Sequence, residues 1–257
     1  MTTAPGKKET RHRALSRIVE EHGHISLAEA AAQLGVSVQT VRRDALELER
    51  QGGARRTHGG IAFTGALDRG VYQQRRRTQT AEKKIIADRI ADLIPDGATV
   101  FLDIGTTCEA VALGLLERRN LKIVTYSIRS AMLFDGREDF TVAIPGGVVR
   151  HIDGAIIGLG AADFIAQFKF DYAIIAVSGM DLQGCLRDDD DFEVQRVRTA
   201  MEQACNIVLA LTSNKIGSDG LVKLCDLREI DIIVTNDRLP PPLSALATES
   251  DVKVVSH

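Results

Sequence analysis

Between Thr99 and Val255 seven short apolar runs recur with helical patterns between them, and a chain written this way has few choices of fold. The runs are Thr99 to Leu102, Ile123 to Tyr126, Thr141 to Ile144, Tyr172 to Val177, Ile207 to Leu211, Ile230 to Val234, and a last one near Val252 to Val255. Strands that are apolar throughout are buried on both faces. Their alternation with helices predicts a mostly parallel, doubly wound α/β sheet with helices on both sides. Such folds bind ligands at the carboxyl ends of their strands, and polar or glycine-rich motifs follow several of the runs.

Asp103-Ile104-Gly105-Thr106-Thr107 follows the first run and precedes a helix expected from Glu109 to Leu116. Glycine permits close backbone approach, and the amides of a helix start join the threonine hydroxyls as donors for a phosphate. A tight strand-to-helix turn asks for the same residues, so the motif alone serves either purpose. Pro145-Gly146-Gly147 is followed by Arg150, a side chain able to meet a phosphate bidentately. Ser178-Gly179-Met180-Asp181 follows the fourth run, and Asp188 to Asp191, Phe192 and Glu193 come after it. Consecutive aspartates rarely converge on one ion, and the spacing of a hard-cation loop is missing. A solvated loop without metal is expected there. Lys215, after Asn214, stands beyond the fifth run, where it would set a cation beside an anionic ligand.

The front of the chain has a different pattern. Ala14, Leu15, Ile18 and Val19 predict a first helix from Arg13 to His22, with Gly23 as its C-cap. Ser26 is placed to N-cap a second helix through Leu27, Ala28, Ala30, Ala31 and Leu34. Only Gly35 to Ser37 separate it from a third helix, which Ser37 caps in turn, and this is the helix-turn-helix layout. Val38, Val41, Ala45 and Leu48 form one stripe of the third helix, to be packed on the other two. Gln39, Thr40 and Arg43 point away from it, with Arg42 on the flank, and these types hydrogen-bond base edges or phosphates in a major groove. Arg55, Arg56 and His58 lie between Gly52-Gly53 and Gly59-Gly60, a pattern that predicts a β-wing carrying further cations. A helical protein-interaction module shares the three-helix layout, but the short turn, the exposed arginines and the basic wing favour DNA. Ile61 to Thr80 has no sustained hydrophobic period and carries Arg75-Arg76-Arg77, expected to be a solvated charge run in a connection.

Charge divides the chain in the same place. Through Lys84 there are 16 Lys and Arg against 9 Asp and Glu, whereas the remainder has 16 against 26. A basic front end on an acidic body fits a polyanion partner for the front end alone. The 257 residues, 44% hydrophobic and 26% charged, suffice for a proper core. No run is long and apolar enough for a membrane span and the first residues lack a signal-peptide core, so a cytoplasmic protein is expected. The four cysteines form no CxxC pair and stand apart from the six histidines, which points to reduced thiols and no zinc site. One helix-turn-helix reads a short half-site, so a homodimer or homotetramer is expected.

Ile25 through Gly60 resembles the winged helix-turn-helix of the DeoR family. Val36, Ser37, Thr40, Val41, Arg42, Arg43 and Asp44 fall on its V-S-x-x-T-[IV]-R-R-D pattern, and His58-Gly59-Gly60 on the end of its wing. Ala45 replaces a leucine and Gly53 a bulky apolar residue. Phe101 to Leu116, Gly146 to Gly158, Asp163 to Asp181 and Pro240 to Pro242 resemble the sensor domain of the same family, which is similar to ribose-phosphate isomerase. Here Cys108 replaces proline, Thr125-Tyr126-Ser127 replaces a T-N-[NS] turn, and Asn214 replaces serine. The resemblance runs from Arg11 over nearly the whole chain. It implies a winged helix-turn-helix DNA-binding domain over 1–62, a linker over 63–82 and a sensor domain over 83–257. The implied function is a repressor that binds double-stranded operator DNA and is relieved by a sugar or polyol phosphate, sn-glycerol 3-phosphate first among them, with no cofactor. DNA contact falls to Ser37, Gln39, Thr40, Arg42, Arg43, Arg55, Arg56 and His58. Effector contact falls to Asp103, Gly105, Thr106, Thr107, Gly146, Gly147, Arg150, Gly179, Asp181, Glu193 and Lys215. The competing expectation is an isomerase-like enzyme, with Asp103, Asp181, Glu193 and Lys215 as acid, base and anion clamp. It lacks a nucleophile motif and has no use for a DNA-reading front end.

Overall fold

The computed structural model describes residues 7–22, 24–50, 54–57, 60–63, 69–158 and 160–256. The chain divides into two compact units, Met1–Val71 and Tyr72–His257.

The first unit contains α1 (Lys7–His22), β1 (His24–Ser26), α2 (Leu27–Leu34), α3 (Val38–Arg50), β2 (Ala54–Thr57) and β3 (Gly60–Phe63). Ser26 and Glu29 form a reciprocal capping box at the start of α2, each side chain accepting the other's backbone N–H at 3.1 Å. Leu15, Ile25, Ala30, Ala31, Val41, Ala45, Leu48 and Ile61 make the core. The strands pair antiparallel in the order β1-β3-β2. β1, at three residues, is too short to show a period in the sequence. Val38, expected in the buried stripe, is 40% exposed. The packed part of the stripe starts one turn later, at Val41.

The segment expected to be an irregular connection is helical. α4 (Arg69–Arg77) crosses the boundary between the units, and α5 (Thr80–Leu93) begins two residues after Thr78. Its missing hydrophobic period is real, but tertiary contacts of Tyr72, described below, hold α4 in place of a stripe of its own.

The second unit is built on a seven-stranded sheet of β4 (Thr99–Leu102), β5 (Lys122–Thr125), β6 (Thr141–Ala143), β9 (Phe170–Ile175), β12 (Ala204–Leu211), β14 (Ile232–Thr235) and β15 (Lys253–Val255). All its pairings are parallel, in the order β15-β14-β12-β9-β4-β5-β6. Successive residues face opposite sides. Phe101, Val124, Ala173, Ile175, Leu209 and Ile233 pack toward α8 (Ala161–Ile165), α9 (Asp191–Glu202) and α10 (Pro241–Glu249). Val100, Leu102, Ile123, Ile174, Val208 and Val234 pack toward α5, α6 (Thr106–Leu115) and the end of the short α7 (Ile128–Leu133). The fold is the doubly wound α/β sheet that the apolar runs predict. A hairpin of β7 (Val148–Val149) and β8 (Ile156–Ile157) and a small antiparallel sheet of β10 (Gly179–Met180), β11 (Cys185–Asp188) and β13 (Val222–Asp226) stand apart from it. Among the described residues no helix is long and apolar enough to cross a membrane.

From β4 the chain steps outward to β5 and β6, then returns to β9 on the other side of β4 and continues to β12, β14 and β15. The order therefore reverses between β4 and β9, and in open α/β sheets ligands bind outside the carboxyl ends of the strands at such a reversal.

Candidate functional site

On α3 the Ser37 hydroxyl accepts the Thr40 amide at 3.2 Å and lies 2.9 Å from Thr40 Oγ1, which caps the helix and orients its first turn. Gln39, Arg42 and Arg43 are exposed and Thr40 is partly so, while Val41, Ala45 and Leu48 are buried behind them. Asp44 is the polar residue on the buried side. Arg11 reaches it through Nε at 2.5 Å and Nη2 at 3.0 Å, and His12 through Nε2 at 3.0 Å. Burial works to raise the Asp44 carboxyl, but the hydrogen bonds from Arg11 and His12 outweigh it and hold the group below its ordinary range. Arg55 and Arg56 lie on β2; their side chains and His58 lie outside the described residues.

In the second unit Asp103 occupies the point where the sheet order reverses. Its Oδ1 accepts the Tyr126 hydroxyl at 2.6 Å and the Ile104 amide at 2.7 Å, and its Oδ2 accepts the Ala176 amide at 3.1 Å. One buried carboxylate thus ties the exits of β4, β5 and β9 together. Burial pushes it up to about 7 in spite of these donors. Asp103, expected to meet the effector, is turned inward and shapes the loop that follows. That loop runs through Gly105, whose φ of 117° is open to glycine and strained for other residues. It delivers partly exposed Thr106 and Thr107 to the first turn of α6, where helical amides remain free for an anion.

The run Asp188 to Asp191, expected to be a solvated loop, is instead largely built into the structure. Asp188 accepts the Ser178 hydroxyl at 2.9 Å, and Asp190 is buried and caps α9 by accepting the Phe192 amide at 2.9 Å. Arg150, which no local pattern could pair with this segment, holds Asp190 of the run. Its Nε meets Asp153 at 2.9 Å, its Nη1 meets Asp190 at 2.8 Å, and its Nη2 bonds both Asp153 and Glu193. A guanidinium expected to clamp phosphate is therefore engaged by three carboxylates. Burial raises the Glu193 carboxyl against the pull of Arg150, and burial together with nearby Asp103 raises that of Asp188. Arg196, also buried, sits over the Tyr126 ring at 5.3 Å from its centroid. Nothing in the sequence singled it out.

The remaining expected residues fall into separate roles. Lys215 lies on the 3-10 turn Ser213–Lys215 after β12, and burial, with Arg75 as its strongest charged neighbour, lowers its pKa. Asp181 accepts the amides of Gln183 and Cys185, both at 2.9 Å, and so closes the β10–β11 turn. Gly179 is buried on β10 and Gly146 is exposed beside the β7–β8 hairpin. A Cβ on Gly147 would stand 2.3 Å from the Ile157 carbonyl oxygen, so backbone packing alone demands glycine there. Asp103, Asp181 and Glu193 each bond internal partners: Tyr126 and two amides, the amides of Gln183 and Cys185, and Arg150 respectively. A cleft of about 700 Å³, lined among others by Arg76, Lys83, Glu109 and Leu113, shares only Thr106 with the expected effector residues. Among the described residues no group of three or more His, Cys, Asp or Glu side chains is arranged to hold a metal ion.

Comparison with known proteins decides the family. The profile of the DeoR C terminal sensor domain matches residues 78–237, and that of the DeoR-like helix-turn-helix domain matches residues 11–65. The chain belongs to the DeoR family. This DeoR-family chain is 38% identical over 245 residues to the glycerol-3-phosphate regulon repressor of Escherichia coli K12, covering 95% of the chain and 96% of that protein. It is 36% identical over 245 residues to the HTH-type transcriptional repressor CsqR of the same strain, covering 95% and 94%. A ribose 5 phosphate isomerase A from Neisseria gonorrhoeae superposes on 54% of each chain at a TM-score of 0.39 and 13% identity, too low a likeness to carry fold or chemistry. These DeoR-family relatives are named as repressors and not as enzymes.

Proposed function

We propose that this chain is a transcriptional repressor that binds operator DNA through α3 and the wing and releases it when a phosphorylated polyol or sugar, first of all sn-glycerol 3-phosphate, enters the sensor. The observation that carries this is full-length similarity, at 38% identity, to a repressor of the glycerol-3-phosphate regulon. The division into a DNA-binding domain over 1–62, a linker over 63–82 and a sensor over 83–257 belongs to the same proposal, as does action in the cytoplasm as a homodimer or homotetramer. Gln39, Thr40, Arg42 and Arg43 read the major groove from α3, with Ser37 orienting the first turn. Arg55, Arg56 and His58 of the wing hold phosphates.

The effector's anion sits against the backbone of Gly105, Thr106 and Thr107, with Lys215 as counter-charge. Its hydroxyls are donors, and they face the acidic side formed by half-buried Asp188, with buried Glu193 behind it on Arg150. Asp103 and Arg150 hold that site in shape, and Gly146, Gly147, Gly179 and Asp181 fix the loops around it. Repression is relieved only if the effector prefers the DNA-free arrangement, because a ligand with equal affinity for two states shifts neither.

The test is a thermal-shift titration of the full chain with sn-glycerol 3-phosphate, other sugar phosphates and unphosphorylated glycerol, followed by operator binding with the best ligand present. A raised melting temperature with a phosphorylated compound, no change with glycerol, and weakened operator binding are expected. Unchanged operator affinity with every phosphate that binds would overturn the repressor-relief mechanism. A response confined to a different sugar phosphate would move the effector assignment.

A further inference from the structure

The distal half of α4 is fastened to the helix that starts at the effector loop. Tyr72, 2% exposed, donates its hydroxyl to Glu109 Oε1 at 2.5 Å, and Arg76 Nε meets Glu109 Oε2 at 2.9 Å. Glu109 is itself buried in the first turn of α6, and its amide bonds the Gly105 carbonyl at 2.9 Å. Both oxygens of one carboxylate are thus used on α4, a single turn from Thr106 and Thr107. A second connection reaches the same tyrosine. The Arg129 guanidinium lies 5.3 Å from the Tyr72 ring centroid, and its Nε donates to the Asp153 carbonyl at 2.8 Å, in the loop whose side chains surround Arg150. Lys83 of α5 closes the far end, donating to the carbonyls of Arg75 and, at 2.9 Å, Thr78.

We propose that Tyr72 and Glu109 are positioning residues for induction: they report occupancy of the Gly105–Thr107 loop to α4, the helix through which the chain runs back to the DNA-binding unit. An anion held by the Thr106 and Thr107 amides bears on the first turn of α6, and Glu109 moves with that turn. A buried, doubly bonded carboxylate cannot shift without moving or releasing its partners, because an unpaired charge at such a site is costly. Tyr72 also feels the loop around Asp153 through Arg129, so two walls of the effector crevice converge on one side chain. Neither Tyr72 nor Glu109 touches the effector or the DNA in this scheme; each acts on the ratio between two affinities.

This inference rests on the proposed function, and the experiment separates the two. The full chain, Tyr72→Phe and Glu109→Gln are compared for three quantities: operator affinity by fluorescence anisotropy, sn-glycerol 3-phosphate affinity without DNA by calorimetry, and operator affinity at saturating sn-glycerol 3-phosphate. In the unmodified chain the ligand is expected to weaken operator binding by about 5-fold to 150-fold, the usual span of allosteric coupling. In both variants the two separate affinities should stay within about threefold of the parent, while the weakening by ligand falls below about threefold. A residue that only supports folding would lower both affinities or neither and leave the ratio alone. Coupling retained in both variants overturns the inference, and so does coupling lost in step with ligand affinity, which would make Glu109 part of the binding site. If the unmodified chain shows no coupling, the proposed function itself fails first.

Discussion

Arg11 on α1 and Asp44 on α3, 33 positions apart in the chain, form a two-pronged ion pair at 2.5 and 3.0 Å that closes the buried side of the helix-turn-helix. Asp44 therefore supports the α3 arginines from behind without facing DNA. Asp44→Ala leaves Arg11 and His12 facing a hydrophobic gap. A lower stability is expected, moderated by solvent because Arg11 keeps 24% of its side chain in water. A lowered melting transition of the full chain, with Asp44→Asn losing less, checks it. Equal stability of Asp44→Ala and the parent would show that the pair contributes nothing.

Arg43 and the wing arginines should differ in kind. Arg43→Ala is expected to weaken binding chiefly at the preferred operator, by about 1 to 3 kcal/mol. Arg55→Ala and Arg56→Ala should weaken all duplexes alike and reduce the salt slope by about one each. Anisotropy titrations on operator and scrambled DNA at several salt concentrations distinguish the two. Indistinguishable patterns would refute the division.

Arg150 neutralises Asp153, Asp190 and Glu193 at once. Arg150→Met strands three carboxylates in a largely buried site, at an expected cost of about 3 kcal/mol. The loss should be larger at pH 8 than at pH 6, because the stranded groups take up protons more readily in acid. Arg150→Lys cannot reproduce a planar fork serving three partners and should recover only part of the stability. Urea midpoints at the two pH values test both statements.

Asp103 gives the sensor a defined pH dependence. Its carboxyl is pushed up to about 7 by burial, whereas an unfolded aspartate releases its proton near its model value of 3.8. Between those values the folded state holds more protons than the unfolded one, so stability falls as pH rises and levels off above about 7. From pH 5.5 to 7 the expected loss from this group is about 1.5 kcal/mol. Asp188 and Glu193, raised in the same direction, add to it. Asp103→Asn should flatten the slope of melting temperature against pH, whatever its effect on the absolute value. A slope unchanged in that variant would mean that the carboxyl titrates where an exposed aspartate does.

Much of this was legible from sequence because it is written in local order. The capping serines Ser26 and Ser37, the stripe Val41, Ala45 and Leu48, and the apolar runs of the parallel sheet are periodic over a few residues, and short-range sterics and burial act at that range. The same holds for the loop after β4, since a strand that ends at a helix start needs Gly105 and small polar residues.

Tertiary structure alone decided what the polar side chains do. Asp103 and Arg150 carry the signatures of ligand-binding residues, yet Asp103 spans to Ala176, 73 positions away, and Arg150 to Glu193, 43 positions away. Tyr72 and Glu109 carried no signal at all until α4 was seen lying against α6. A carboxylate or guanidinium has the same local neighbours whether it faces water, a ligand or a buried partner. Which one it meets depends on what the sheet order brings within about 3 Å. Strand patterns determine that order only once the whole chain has been wound, and so the sequence by itself determined the scaffold and left the bonding of its charges to the fold.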